Sequence, residues 1–382
     1  MTPFALYVHV PWCRHVCPYC DFNVHAAARA PETADVPAYV AELAAWAGDA
    51  RLRGRTVASV FFGGGTPSLL SPAAIATVLG AVASRFGLAP DAEVTLEANP
   101  ATVDVERLSG WRRAGVSRLS LGAQSFSRAL LRTLGRDHAP DDTHAAVAAA
   151  RTAGFVNVSL DLIYAVPGAT LADWSADLDA ALALGPEHVS CYALTWEERT
   201  PFATWRERGR LTPVDEDVEA AMAERADARL TAAGYARYEI SSWARRGHAS
   251  AHNQRYWDGS DYLGIGPGAH SFCATPAPGR RWSNHRPPDA WRTAVLAGGT
   301  AIADDETLTP AQARADFVVT GLRRLAGLDL GEFQRRFGTE LACVFPHVTA
   351  LERDDLVRRD AERLRLTPRG LRFADTVAAT FV

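Results

Sequence analysis

The run Phe4-Ala5-Leu6-Tyr7-Val8-His9-Val10-Pro11-Trp12-Cys13-Arg14-His15-Val16-Cys17-Pro18-Tyr19-Cys20-Asp21-Phe22 joins a short apolar stretch to three closely spaced cysteines. Valine, tyrosine and phenylalanine favour extended backbone, and Pro11 closes the stretch, so Cys13, Cys17 and Cys20 fall just past a strand end. Three thiolates can hold a 4Fe-4S cluster by three of its irons and leave the fourth open to a small molecule. The same spacing suits structural zinc with His9, His15 or His25 as a further ligand, and the residues alone leave both readings standing. A disulfide framework is disfavoured: Cys191, Cys273 and Cys343 are scattered singly and no secretion signal opens the chain. A reducing, cytoplasmic setting is expected.

Outward from that run, short β-rich segments alternate with longer helical patterns, the signature of strand-helix units that build a parallel sheet. Strands are predicted over 4–10, 57–62, 93–98, 118–122, 156–162 and 188–194, and helices over 36–51, 72–86, 104–113, 142–153 and 171–184. Six such units predict an α/β fold, a partial (β/α)6 barrel of the TIM type. Ligands of parallel sheets gather at the carboxyl ends of the strands. There the sequence puts the cysteines, Gly63-Gly64-Gly65-Thr66-Pro67, Glu97-Ala98-Asn99-Pro100, Gly122-Ala123-Gln124-Ser125-Phe126 and Asp161, all on one rim.

Past Thr195 the alternation loosens. A helix over 217–232 and a strand over 238–240 precede the polar, aromatic segment His252-Asn253-Gln254-Arg255-Tyr256-Trp257, a Gly/Pro-rich turn over 262–271, and a Pro/Arg-rich connecting segment over 275–288. The region 309–382 reads as two or three helices and a short hairpin over 364–371, a winged-helix-like arrangement. Asp354, Asp355, Asp360 and Glu362 interrupt its arginines, which argues against a nucleic-acid partner. The expected division is a barrel over 1–240, an extension over 241–300 and a C-terminal unit over 301–382.

Composition bounds the chemistry. At 382 residues and 48% hydrophobic content the chain is long enough for a barrel plus a smaller unit, and its net charge of -4 offers no general attraction to nucleic acid. No apolar run reaches membrane-spanning length, so any contact with the cytoplasmic membrane is expected to be peripheral; a homodimer is left open. All 40 basic residues are arginine, which excludes a lysine Schiff base or a phosphate-loop lysine.

The CxxxCxYC run after the first strand and GGGTP after the second resemble the radical S-adenosylmethionine (radical SAM) superfamily over nearly the whole chain. That resemblance implies a 4Fe-4S cluster whose open iron chelates SAM and whose electron cleaves it to a 5′-deoxyadenosyl radical, and it makes Gly64, Gly65 and Thr66 candidate SAM contacts. A narrower resemblance, to oxygen-independent coproporphyrinogen III oxidase and its relatives, rests on Tyr7 to Cys13, the glycine run, Glu97, Gln124, Arg136 and Asp161. It implies that Tyr7 and Tyr19 flank the cluster and SAM, that Glu97 and Arg136 bind the amino-acid end, and that Gln124 and Asp161 lie along the nucleoside. A carboxylate can accept from an ammonium or a ribose hydroxyl, and an arginine can pair with a carboxylate.

Two departures set the chain apart from the oxidase. Phe22 stands where the oxidase carries a further cysteine, and with the first strand only a few residues from the start, no leading segment that would enclose a porphyrinogen is expected. With CPYCDF and HNxxYW it resembles instead the haem-chaperone relatives of the oxidase. That implies haem as cargo, haem-requiring respiratory proteins as acceptors, His252 or Tyr256 as haem-ligand candidates and Trp257 as an apolar wall. Oxidative decarboxylation, or a radical reaction on another substrate, are the competing activities.

Overall fold

The computed structural model describes residues 2–382. Strands β1 (Phe4–Val10), β2 (Val57–Gly64), β3 (Leu88–Ala98), β4 (Arg118–Gln124), β5 (Val158–Tyr164) and β6 (His188–Ala193) lie side by side, each parallel to the next. The helices Glu32–Ala47, Pro72–Phe86, Val105–Ala114, Pro140–Thr152 and Leu171–Ala183 return the chain between them. The first helix starts and stops about one turn earlier than the sequence predicts, with Gly48, still right-handed, as its capping residue. This is a mixed α/β partial barrel.

Strict alternation within each strand divides its residues between two environments. Leu6, Val8, Phe62, Leu96, Leu119, Leu121, Leu160, Leu162 and Val189 point outward and are fully buried against the helices. Their neighbours Tyr7, Phe61, Glu97, Arg118, Ser120, Asp161 and Ser190 line the lumen. TIM-type barrels usually fill that space with branched apolar side chains. Here polar residues leave a cavity of about 520 Å³ that opens at the carboxyl ends of the strands.

The sheet does not end with the six strands. An antiparallel pair, β7 (Ala236–Glu239) and β8 (Ser242–Ala244), extends it beyond β6. On the other side β9 (Tyr262–Ile265) runs parallel to β1, and β10 (His270–Cys273), β11 (Arg280–Asn284) and β12 (Ile302–Thr307) follow antiparallel. The order across this single sheet is β12-β11-β10-β9-β1-β2-β3-β4-β5-β6-β8-β7. The connecting segment expected over 275–288 is corrected: only its Pro/Gly end turns, and Arg280–Asn284 is a strand paired on both sides. Trp282 in it stacks on Trp46 at 5.1 Å, a long-range contact that overrides the weak local signal.

The HNxxYW segment forms the helix Ala251–Trp257. Ser250 caps it by accepting from the Asn253 amide at 3.3 Å, and the Glu93 carboxylate accepts from the Ala251 and His252 amides at 3.1 Å each. Beyond Thr307 a separate core gathers Phe317, Val318, Leu322, Phe333, Val348, Leu364 and Val377 from short helices around the strands Leu328–Asp329, Val357–Arg359 and Arg363–Leu366, a winged-helix-like unit. The predicted hairpin over 364–371 is shifted: it spans 357–366, because Thr367 caps the next helix, Pro368–Arg372. Among the described residues no helix is long and apolar enough to cross a membrane.

Candidate functional site

The cysteine loop is held from three directions. Trp12–Cys13 pairs with His25–Ala26 in a small parallel ladder. The Trp12 indole donates to Asp35 at 2.6 Å, and Asp35 also pairs with Arg292 at 2.5 Å. Asn23 donates to the carbonyls of Pro267 and Arg286 at 2.9 and 2.8 Å, while its own carbonyl meets His9 Nε2 at 2.9 Å. The strands β9 to β12 therefore buttress the loop through the turns that connect them.

Cys13, Cys17 and Cys20 all line the cavity. The Thr66 hydroxyl donates to Cys13 Sγ at 3.4 Å, and Arg136 donates to Cys17 Sγ at 3.7 Å. Burial pushes the Cys20 thiol up to about 11 and raises Cys13 as well, so metal binding at these thiols would displace protons. Among the described residues no group of three or more His, Cys, Asp or Glu side chains converges closely enough for a single metal ion. His9 is engaged by Tyr7 at 3.0 Å and by the Asn23 carbonyl at 2.9 Å. Three thiols lining one cavity are the donor set that a 4Fe-4S cluster takes by three of its irons.

The remaining rim residues surround the same space. Gly64 adopts φ +110, and a Cβ there would lie 2.5 Å from the His9 ring; Gly65 is closed in by Trp12 and Cys13. Glu97 accepts from the Gly64 amide at 3.2 Å, and burial, helped by the charge of Asp161, pushes its carboxyl up to about 8. Asp161 accepts from Ser120 at 2.9 Å. Gln124 holds φ 62, a left-handed conformation unusual for a residue with a side chain, and Arg136 donates to the Gly122 carbonyl at 3.0 Å. Tyr7 lies in the lumen, and Tyr19 packs edge-on to Phe202 at the opposite wall.

His252 and Tyr256 form the floor of the cavity. His252 is fully buried: Nδ1 meets Ser59 Oγ at 3.0 Å and Nε2 meets Tyr256 Oη at 2.8 Å. Burial pulls its pKa down to about 3, which keeps the ring neutral, yet neither nitrogen is free. Trp257 departs from the expectation of an apolar wall: it turns away from the cavity, and Arg323 of the C-terminal unit lies over its ring at 4.5 Å. The residues missed from sequence are Arg118, Ser120 and Ser190, which line the cavity below the rim. Their signal was the polar half of each strand's alternation, legible once the barrel is taken as given.

The Radical SAM superfamily profile matches residues 7–181, and the HemN C-terminal domain profile matches residues 308–373. The chain is 41% identical to heme chaperone HemW of Mycobacterium tuberculosis over its full length and 95% of that protein. It is 43% identical to heme chaperone HemW of Escherichia coli over 72% of each chain, and 36% identical to the bovine mitochondrial radical S-adenosyl methionine domain-containing protein 1 over 98% of this chain and 86% of the relative. Coproporphyrinogen III oxidase (HemN) from Escherichia coli has the same fold, with a TM-score of 0.84 at 24% identity over 99% of this chain and 90% of that one. With its cysteine loop, lumen and C-terminal unit matched in these ways, the chain belongs to the radical SAM superfamily, in the HemN-like group that contains the proteins named heme chaperone HemW.

Proposed function

We propose that this chain binds haem and delivers it to haem-requiring respiratory proteins in the cytoplasm, and that it carries a 4Fe-4S cluster whose open iron faces SAM. One observation carries this: the three-thiol loop and every rim residue expected at SAM share one cavity, in a chain 41% identical end to end to a protein named heme chaperone. Cys13, Cys17 and Cys20 would hold the cluster, which when bound supplies an electron to SAM. Glu97 would accept from the ammonium of SAM, Arg136 would face its carboxylate, and Gly64, Gly65 and Thr66 would admit its methionine chain past bare backbone. Gln124 and Asp161 would lie along the nucleoside, with Tyr7 and Tyr19 as walls.

Phe22 favours carriage over turnover. It is 63% exposed at the cavity mouth, an apolar ring in the place of the oxidase's further cysteine, and suits a flat porphyrin face better than a thiol would. His252 and Tyr256 are the haem-ligand candidates, and ligation through His252 Nε2 requires its bond to Tyr256 to open. The test is anaerobic reconstitution followed by parallel assays of haem transfer to a haem-free respiratory acceptor and of coproporphyrinogen III turnover. Transfer without protoporphyrinogen IX is expected; SAM-dependent protoporphyrinogen IX would replace this function with the oxidase. Haem titration of His252→Ala assigns the ligand: an unchanged Soret band and affinity would remove His252.

A further inference from the structure

Arg118 is the first residue of β4 and is only 2% exposed, yet it lines the cavity. Its Nε is a buried donor without a partner, and among the described residues no carboxylate comes within ion-pair distance of its guanidinium. Directly across the ladder, at the paired position of β3, Thr95 is fully buried and its hydroxyl also lacks a partner. Ser120 and Asp161, which line the same cavity, are occupied with each other at 2.9 Å. The other arginine of the site, Arg136, is engaged by Gly122, Cys17 and His138.

A buried guanidinium that makes no hydrogen bond or ion pair within the protein carries a desolvation cost that a bound partner would offset. Glu97 and Asp161 of the same lumen feel the guanidinium charge through space without bonding to it, so its hydrogen-bonding edge is left for a group that enters the cavity. The guanidinium fork matches a carboxylate through two parallel hydrogen bonds. We propose that Arg118 receives a carboxylate of the molecule that occupies the lumen. Two molecules of the proposed function carry one: haem on its propionates and SAM on its methionine end. The inference rests on that proposed function for its ligands, and on Arg118 for the site.

The test titrates the full chain and its Arg118→Gln and Arg118→Lys variants with haem, with haem whose propionates are both methyl-esterified, and with SAM. The expected result is haem affinity about tenfold or more weaker in Arg118→Gln, partly recovered in Arg118→Lys, with the diester bound equally by all three proteins. A loss confined to SAM would likewise support the site and make Arg118, beside Arg136, a partner of the methionine carboxylate. Unchanged affinity of Arg118→Gln for both haem and SAM would overturn it. Thermal melting of the ligand-free proteins separates recognition from scaffolding: Arg118→Gln should melt close to the wild-type temperature, because no hydrogen bond or ion pair of the guanidinium is lost. A lower melting temperature, with all three probes weakened including the diester, would mark a structural arginine and overturn the inference. Failure of the wild-type chain to bind haem would count against the proposed function alone, since the SAM titration still tests Arg118.

Discussion

Gly65 is the residue on which the geometry of the cysteine loop turns. A Cβ at this position would lie 2.7 Å from the Trp12 carbonyl and 2.9 Å from that of Val10, contacts that side chains essentially never make, and a tight 3.0 Å from Cys13 Sγ. Its amide meanwhile donates to Val10 at 2.8 Å, which fixes the loop after β2 against the end of β1. Gly65→Ala must therefore push Trp12 and Cys13 outward. The expected cost to the fold is about 1–3 kcal/mol, the range for overpacking. The larger effect falls on the cluster: after anaerobic reconstitution the variant should retain well under the wild-type iron per chain while its circular dichroism is preserved. Full iron loading would show that the loop tolerates displacement of Cys13. The sequence marks this glycine only as part of a run; that its neighbour across space is the first cysteine needs the register of β1 on β2.

Among the elements, the helix Ala251–Trp257 was the hardest to anticipate, and the reason is physical. It has no apolar stripe, because one side lies on a polar lumen and the other beneath Arg323, so the periodicity that reveals an amphipathic helix never develops. It forms because Glu93, distant in sequence, supplies a carboxylate to its first amides. Glu93→Gln removes the charge that favours the helix N-terminus and is expected to cost about 1 kcal/mol in urea denaturation, with faster amide exchange confined to residues 251–257 and their neighbours. Uniform exchange across the barrel would contradict that local role. The six barrel strands were readable for the opposite reason: sequences such as Val158-Ser159-Leu160-Asp161-Leu162 alternate cleanly, and each is followed by a helix that covers its apolar side. The strand Arg280–Asn284 alternates too, but its charged, short run is held by partners on both sides and by Trp46, none of them local in sequence.

At the scale of the whole molecule, two cores meet across a junction that is mostly polar. The barrel and its sheet extensions share one large apolar cluster, with a smaller one around Leu134 and Phe202, and the C-terminal unit has its own around Phe333, whose ring lies 4.9 Å from Phe337 and 6.3 Å from Phe317. Between them run backbone bonds from Ile240 to Arg323 and from Leu325 to Tyr238, each 3.1 Å, a bond from Arg336 to Gly259 at 3.2 Å, and the stacking of Arg323 on Trp257. Such a junction orients the C-terminal unit without merging its stability with that of the barrel. All ten tryptophans lie at or before Trp291, so intrinsic fluorescence reports on the barrel side while far-ultraviolet circular dichroism sums both. Phe333→Ala empties the centre of the smaller core, a change that typically costs about 3–5 kcal/mol. Circular dichroism of this variant should therefore show an early partial transition, while the fluorescence midpoint stays close to that of the wild type apart from a small early contribution from Trp257. If both signals shift together by the same amount, the polar junction transmits the damage and the two cores fold as one unit.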